Sequence, residues 1–189
     1  MDRVQSKRPA RSEKEKFPQL ILDAAPLIYL CKADLARHLR SLTTRFKLLT
    51  TQEVYEEVYL NGLEKQVPER ESLKGLFESG VIYVLPESND VTEDLELFNE
   101  SGLHKGEITI VQMALSLHAT AIIDDKRARN VAKLMGVNLG GTVSIIIEFV
   151  RMKGISKSEA KEAVTKMVKE GWYCSTRDFV LMMRAIDTA

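Results

Sequence analysis

An apolar run that stops at an aspartate and resumes at once constrains this chain most. Residues 20–30 read LILDAAPLIYL, and the first part is continuously apolar rather than alternating. A strand buried on both faces has this pattern, and Pro26 suits the first turn of a helix, where its missing N–H is not needed. The stretch predicts a buried strand, then Asp23, then a helix. Asp23 therefore ends a strand at the edge where open α/β sheets bind ligands, although it also fits a helix cap.

Strands and helices alternate along most of the rest of the chain. Further apolar runs predict strands at 46–49, 81–85, 119–123 and 137–139, with helices between them and after the last. This alternation predicts an α/β fold, a three-layer α/β/α arrangement around a central, mainly parallel sheet, plus C-terminal helices. Thr142 is expected to cap the helix that follows the last strand, and Ser156 with Glu159 forms a capping box for the next helix.

Three segments are expected. Residues 1–17 form a charged tail that should be disordered, 18–154 form the α/β domain, and 155–189 form a helical extension packed on it. The tail holds six basic and three acidic side chains in its first sixteen positions, whereas the whole chain has a formal net charge of zero. No overall field therefore indicates a nucleic-acid partner, and any basic surface must be local.

The composition argues against a disulfide-rich, a zinc-binding or a membrane-spanning protein. Two cysteines far apart, Cys31 and Cys174, do not form a Cys-x-x-Cys pair, so neither a disulfide framework nor a zinc site is expected. No apolar run reaches the length that spans a bilayer, and no apolar signal core opens the chain. The sequence predicts a cytoplasmic protein with no membrane partner.

Carboxylates recur at positions that should meet at one edge of the sheet. Asp124 and Asp125 follow the predicted strand 119–123, and Glu107 stands in the first turn of a very apolar helix. Side chains alternate along a strand, so one of the two aspartates should face inward and the other should cap the next helix. In the helix that starts after Thr51, a spacing of about 100° per residue puts Glu57 beside the inward stripe, Glu53 further out and Glu56 facing away.

Several carboxylates at one edge repel each other unless cations lie between them. Oxygen ligands alone suit Mg²⁺ or Mn²⁺ rather than zinc. Such ions polarise phosphodiesters and activate water, so the pattern indicates a metal-dependent nuclease. Each carboxylate also has a structural explanation, as a cap, a favourable charge at a helix N-terminus or a surface ion pair.

The chain resembles the PIN-domain ribonucleases between about Gln19 and Gly154. The similar motifs are LILDAAPLIYL, TTQEVYEEV, LHKGEITIVQMAL, AIIDDKRARNVAKLMG and LGGTVSIIIEFVRMKGI. The stretch from Gly171 to Ile186 also looks like the terminal extension of a subfamily related to VapC-type toxins. The resemblance implies a PIN-like nuclease domain that uses Mg²⁺ or Mn²⁺ to hydrolyse RNA, and two further partners: an antitoxin protein and a second copy in a homodimer.

By that likeness, Asp23, Glu57, Glu107 and Asp125 match the four catalytic acids, with Asp124 as a substitute or helper for Asp125. The metal ligands would be Asp23, Glu107, Asp125 and Asp124. The residues expected to bind substrate, which equally suit a solvated face or a cap, are Lys126, Arg127, Arg129 and Thr142.

Two departures from the family pattern stand out. Ala25 occupies a place where many relatives have Ser or Thr, and Glu107 stands where many have Asp. Two rival classes also remain: a PIN-like RNA- or protein-binding module with little catalysis, and a phosphoryl-receiver regulator. The receiver requires a lone aspartate at the end of a middle strand, but the strand 81–85 is followed by Pro86.

Overall fold

A computed structural model describes residues 17–60, 68–86 and 102–189. Five parallel strands form one sheet in the order β3-β2-β1-β4-β5. The strands are β1 (Gln19–Leu22), β2 (Lys47–Thr51), β3 (Ile82–Leu85), β4 (Thr120–Ile122) and β5 (Asn138–Gly140). The three-layer α/β/α fold and the parallel sheet are confirmed.

The strand order reverses beside β1. The chain runs outward from β1 through β2 to β3, then returns to the other side of β1 for β4 and continues to β5. The backbone N–H of Asp23 donates to the carbonyl of Ile122 at 3.1 Å, which extends the β1–β4 pairing past the strand ends. A reversal of this kind opens a crevice at the carboxyl ends of the two strands, and ligands of open α/β sheets bind there.

Helices cover the sheet and continue past it. They are α1 (Ala24–Lys32), α2 (Leu39–Leu42), α3 (Gln52–Tyr55), α4 (Pro68–Glu78), α5 (Lys105–Ser116), α6 (Lys126–Leu134), α7 (Thr142–Arg151), α8 (Lys157–Lys169) and α9 (Thr176–Thr188). A 3₁₀ turn, Ala36–His38, precedes α2, and a π-helical turn, Glu56–Leu60, continues α3. α8 packs on α1 and α7, and α9 packs on α7 and α8.

One hydrophobic core runs through the sheet and the C-terminal helices. Ile21, Leu22 and Leu49 are fully or almost fully buried, as continuous apolar strands require, and Phe149 and Met167 carry the same core into α7 and α8. The extension predicted for 155–189 therefore packs on the residues before it. Among the described residues, no helix is long and apolar enough to cross a membrane.

Local details confirm several expectations and correct others. Thr51 and Ser156 cap α3 and α8 through their side chains, and Glu159 completes the predicted box. Thr142 is not the cap of α7: Gly141 holds that position and Thr142 is the first helical residue. Cys31 is buried and Cys174 is half-buried, and they do not form a disulfide with each other. Of the tail predicted for 1–17, residues 1–16 lie outside the described residues, as do residues 87–101.

Candidate active site

Asp23 lies buried where the strand order reverses. Its side chain is 7% exposed and makes no helix-capping hydrogen bond, although the residue holds the N-cap position of α1. Burial is the main reason that the pKa of Asp23 rises from 3.8 to about 7. A hydrogen bond from the Ala24 amide acts in the opposite direction. Helix capping therefore does not explain the position of this carboxyl group.

Three other carboxylates lie close enough to act on Asp23. The negative charges of Glu107, Glu57 and Asp124 each contribute to its raised pKa. They come from three separate parts of the chain: α5, the turn after α3, and the end of β4. The fold therefore brings together the carboxylates expected at one edge of the sheet, with Asp124 rather than Asp125 as the aspartate whose charge reaches Asp23.

Asp124 is held by donors from other elements. Its Oδ1 accepts from the Thr142 backbone N–H at 2.9 Å, and its Oδ2 accepts from the Thr142 hydroxyl at 2.5 Å and from the Trp172 indole N–H at 2.8 Å. Gly141 permits this approach, because a Cβ there would lie 2.9 Å from Asp124 Oδ1. A carboxylate offers about four acceptor positions, so roughly one remains for the crevice.

Asp125 serves the helix that follows it. Its Oδ1 accepts from the backbone N–H of Arg127 at 2.8 Å and of Ala128 at 2.9 Å, and the residue is exposed. The chain turns between the two aspartates, so one faces the crevice and the other caps α6. Of the two aspartates, Asp125 is therefore the one that caps the helix, and the role of Asp124 as the site residue stays a prediction.

Glu57 and Glu53 differ from the helical-wheel expectation. Glu57 is exposed, although its charge reaches Asp23, whereas the side chain of Glu53 is only 14% exposed. Glu53 forms an ion pair of 3.3 Å with Lys105, and its Oε2 is buried without a hydrogen-bond partner. The wider π-helical turn starts at Glu56, so the regular spacing no longer applies to the positions beyond it.

Glu107 stands at the start of α5, as predicted. Its Oε2 accepts from the backbone N–H of His104 at 2.9 Å, which closes the first turn of the helix. The charge of Glu107 also contributes to the raised pKa of Asp23, after the larger effect of burial. The first-turn position of Glu107 is confirmed, and its role at the site stays a prediction.

The residues expected to bind substrate fall into two groups. Lys126 and Arg127 are exposed at the start of α6, beside the crevice. Arg129 instead donates through Nη1 to the carbonyls of Ile123, at 2.8 Å, and Gly140, which ties the ends of β4 and β5 together. Thr142 is fully buried, and its hydroxyl is bonded to Asp124. Both residues have structural partners that the sequence did not indicate.

The four carboxylates are chemically suited to binding a hard cation such as Mg²⁺ or Mn²⁺. All four groups offer carboxylate oxygen, and the pKa of Asp23 is raised mainly by burial and further by like charges that a cation would offset. As the side chains lie, no three acidic, histidine or cysteine groups in the described ranges converge closely enough to hold a metal ion.

Comparison with known proteins assigns the chain to a family. A family model described as DUF3368, PIN domain, matches residues 19–187. Among solved structures, the chain is similar to a PilT N-terminus domain protein from the hyperthermophilic archaeon Sulfolobus solfataricus, with 16% identity and a TM-score of 0.47 over 67% of this chain and 88% of that one. A search of curated proteins found no match.

The α/β fold with acids at its reversal point is of a nuclease type. The family match covers most of the chain, and the chain belongs to the PIN domain family. PIN domains are generally nucleases, and they typically use divalent metal ions. The match also includes α8, α9 and Trp172, so the C-terminal helices belong to the matched unit. Membership of this family rules out the receiver interpretation.

Proposed function

We propose that this protein is a metal-dependent endoribonuclease that hydrolyses RNA phosphodiester bonds. The observation that carries the proposal is Asp23, a carboxyl group at the reversal of strand order whose pKa is raised mainly by burial and in part by three neighbouring carboxylates. Such clustering costs stability in the free protein, and perturbed groups of this kind concentrate at functional sites. Family membership supports the same conclusion at the level of a nuclease.

Asp23, Glu107 and Asp124 would hold Mg²⁺ or Mn²⁺, with Glu57 as the fourth acid. A bound divalent ion would supply an activated water and would stabilise charge on the leaving oxygen. Asp124 comes to this role already oriented, because Thr142 and Trp172 fix both of its oxygens. Asp23 is largely shielded from solvent, so its charge would act at short range on whatever occupies the crevice.

The test is hydrolysis of single-stranded RNA with Mn²⁺ and with EDTA. The wild type is expected to cleave only with the metal, and Glu107→Gln is expected to be inactive. Glu56→Gln is the matched control, because Glu56 is exposed and bonded to Gln52 one turn away. Cleavage that persists in EDTA, or in Glu107→Gln, would exclude this mechanism.

We further propose that Lys126 and Arg127 contact RNA phosphates. Charge reversal at Arg127 is expected to weaken RNA binding and to reduce its dependence on salt concentration, because fewer counterions are released. Binding is measured in EDTA over a range of salt concentrations, together with the thermal midpoint. Charge reversal at Arg129 is not a suitable second variant, since it would break the hydrogen bonds to the ends of β4 and β5. Unchanged affinity in Arg127→Glu would remove this residue from the interface.

A second candidate is a PIN-like RNA- or protein-binding module with little catalysis. The observation in its favour is the lack of three converging metal-binding groups in the described part of the chain. The two candidates differ in one result: a module binds RNA but leaves it intact with Mn²⁺, whereas the nuclease cleaves it.

A finer proposal is that the nuclease is the toxin of a toxin–antitoxin pair, acting in the cytoplasm with an antitoxin protein and a second copy as partners. Its support is the likeness of Gly171 to Ile186 to the terminal extension of VapC-type relatives. A small DNA-binding protein encoded directly upstream would support the pair, and its failure to bind the chain would exclude it as the antitoxin.

A further inference from the structure

A second groove lies at the amino ends of the strands, opposite the acidic crevice. It has a volume of about 470 Å³ and is bordered by the starts of β1, β2 and β3. Gln19 and Lys47 are register partners in neighbouring strands at this edge. The volume falls within the range of about 300–1,000 Å³ that is typical of small-ligand sites. None of the acids discussed above lines it.

Aromatic rings stand exposed at this groove. Tyr83 on β3 is 54% exposed and Phe17 is 46% exposed, while Phe46 is half-buried. Exposure of large aromatic side chains carries a cost in hydration unless a partner covers them. Tyr83 lies on β3, the edge strand that pairs with β2.

Positive charge accompanies the rings. Exposed Arg40 and Lys47 line the groove, and among the described lining residues there is no aspartate or glutamate. The Lys47 ammonium lies over the Tyr83 ring, 5.7 Å from its centre, so a phosphate held by Lys47 would lie next to a base that packs against the rest of the ring. Arg40 donates to the Ser79 hydroxyl at 3.0 Å, and a guanidinium has five N–H donors, so others remain for a phosphate.

We propose that this groove is a second RNA-binding site, which takes a single-stranded segment with a base against Tyr83 and phosphates against Lys47 and Arg40. Exposed aromatic rings beside basic side chains, without acids, are the combination by which proteins bind single strands without reading sequence. The chain's own first sixteen residues are a poor occupant, because they hold six basic and three acidic side chains and the groove is itself basic. The proposal rests on RNA as the ligand of the proposed function, but it does not require cleavage.

The test measures binding of a labelled eight-nucleotide RNA by fluorescence anisotropy in EDTA, where no cleavage occurs. Tyr83→Ala is expected to weaken binding by at least about fivefold, the lower limit for loss of one stacked base. Tyr83→Phe keeps the ring and is expected to retain the affinity. Lys47→Gln is expected to make the dependence of log affinity on log salt shallower by about 0.7, as for one lost phosphate contact on a single strand.

Matched controls come from exposed side chains that do not line the groove. Leu134→Ala removes an apolar side chain of a residue that is 78% exposed, and Lys169→Gln removes an exposed charge on α8; both are expected to bind like the wild type. Affinities of Tyr83→Ala and Lys47→Gln equal to those of these controls would overturn the proposal. Equal affinity of the wild type for single-stranded and duplex RNA would also overturn it, since paired bases cannot stack on Tyr83.

The same RNA with Mn²⁺ tests the proposed function separately. Cleavage by a wild type whose Tyr83 and Lys47 variants bind normally would remove the second site and leave the nuclease. Weakened binding in those variants without any cleavage by the wild type would support the second site and remove the nuclease.

Discussion

Replacement of Asp124 by asparagine is expected to remove RNA cleavage, whereas the same replacement at Asp125 is expected to leave it intact. We expect Asp124→Asn to lose more than roughly a hundredfold in rate, since even a supporting partner of a metal ligand is worth about 10- to 100-fold. Asp125→Asn should stay within about twofold of the wild type, because asparagine caps a helix as well as aspartate does. Initial rates with Mn²⁺ measure both.

The two variants also differ in their effect on the fold. In Asp124→Asn, the new side-chain carbonyl could still accept from the Thr142 backbone N–H, but the NH₂ group could not accept from the Thr142 hydroxyl or the Trp172 indole. A buried donor left without a partner costs about 1–3 kcal/mol. Trp172→Phe is therefore a useful control, since it removes one of these donors and leaves the carboxylate. Activity in Asp124→Asn together with inactivity in Asp125→Asn would reverse the assignment.

Replacement of Asp23 by asparagine is expected to change the pH dependence of stability. The pKa of Asp23 is about 7 in the folded protein and 3.8 as its ordinary value, so the folded state holds more protons than the unfolded state between these limits. The wild type should therefore lose stability from this group as the pH rises from about 4 to 7. A shift of about three pKa units corresponds to roughly 4 kcal/mol at most.

Asp23→Asn has no group to titrate at this position and should not show that loss. Urea unfolding in EDTA at pH 4.5, 6 and 8 should give a stability advantage of the variant that grows with pH and levels off above 7. The other ionisable groups are common to both proteins, so the difference reports Asp23 together with its interactions with Glu107, Glu57 and Asp124. Saturating Mn²⁺ should favour the wild type instead, by about 2.7 kcal/mol at a hundredfold excess over the dissociation constant. A constant difference across pH would contradict the burial argument.

Much of the fold followed from local patterns. Continuous apolar runs such as 20–22 identified strands buried on both faces, and their alternation with helices led to a parallel sheet. The strand ends shifted by one or two residues, because pairing with neighbours rather than hydropathy sets them: β2 continues to Thr51, beyond the apolar run that ends at Leu49. The reversal of strand order beside β1 depends on tertiary packing, so no local sequence pattern predicts it.

The roles of the candidate site residues could be predicted less completely from the sequence. Strand alternation showed that Asp124 and Asp125 must differ, but their roles depend on a turn between them and on Thr142 from a distant helix. The ranking of Glu57 above Glu53 assumed a regular helix, which the π-helical turn interrupts. The sequence favours Arg129 as a phosphate ligand, whereas its guanidinium is bonded to the carbonyls at the ends of two strands. Trp172 carried no signal besides being the chain's one tryptophan, just after Gly171.

That one tryptophan gives the protein a built-in optical reporter. The indole N–H of Trp172 is bonded to Asp124 Oδ2 at 2.8 Å, and the chain has no other indole to obscure its emission. Indole fluorescence responds to the hydrogen bond at its nitrogen and to charge nearby. Occupancy of the crevice can therefore be followed in the unlabelled wild-type chain, by titration of a divalent ion against emission intensity, without any RNA and without turnover.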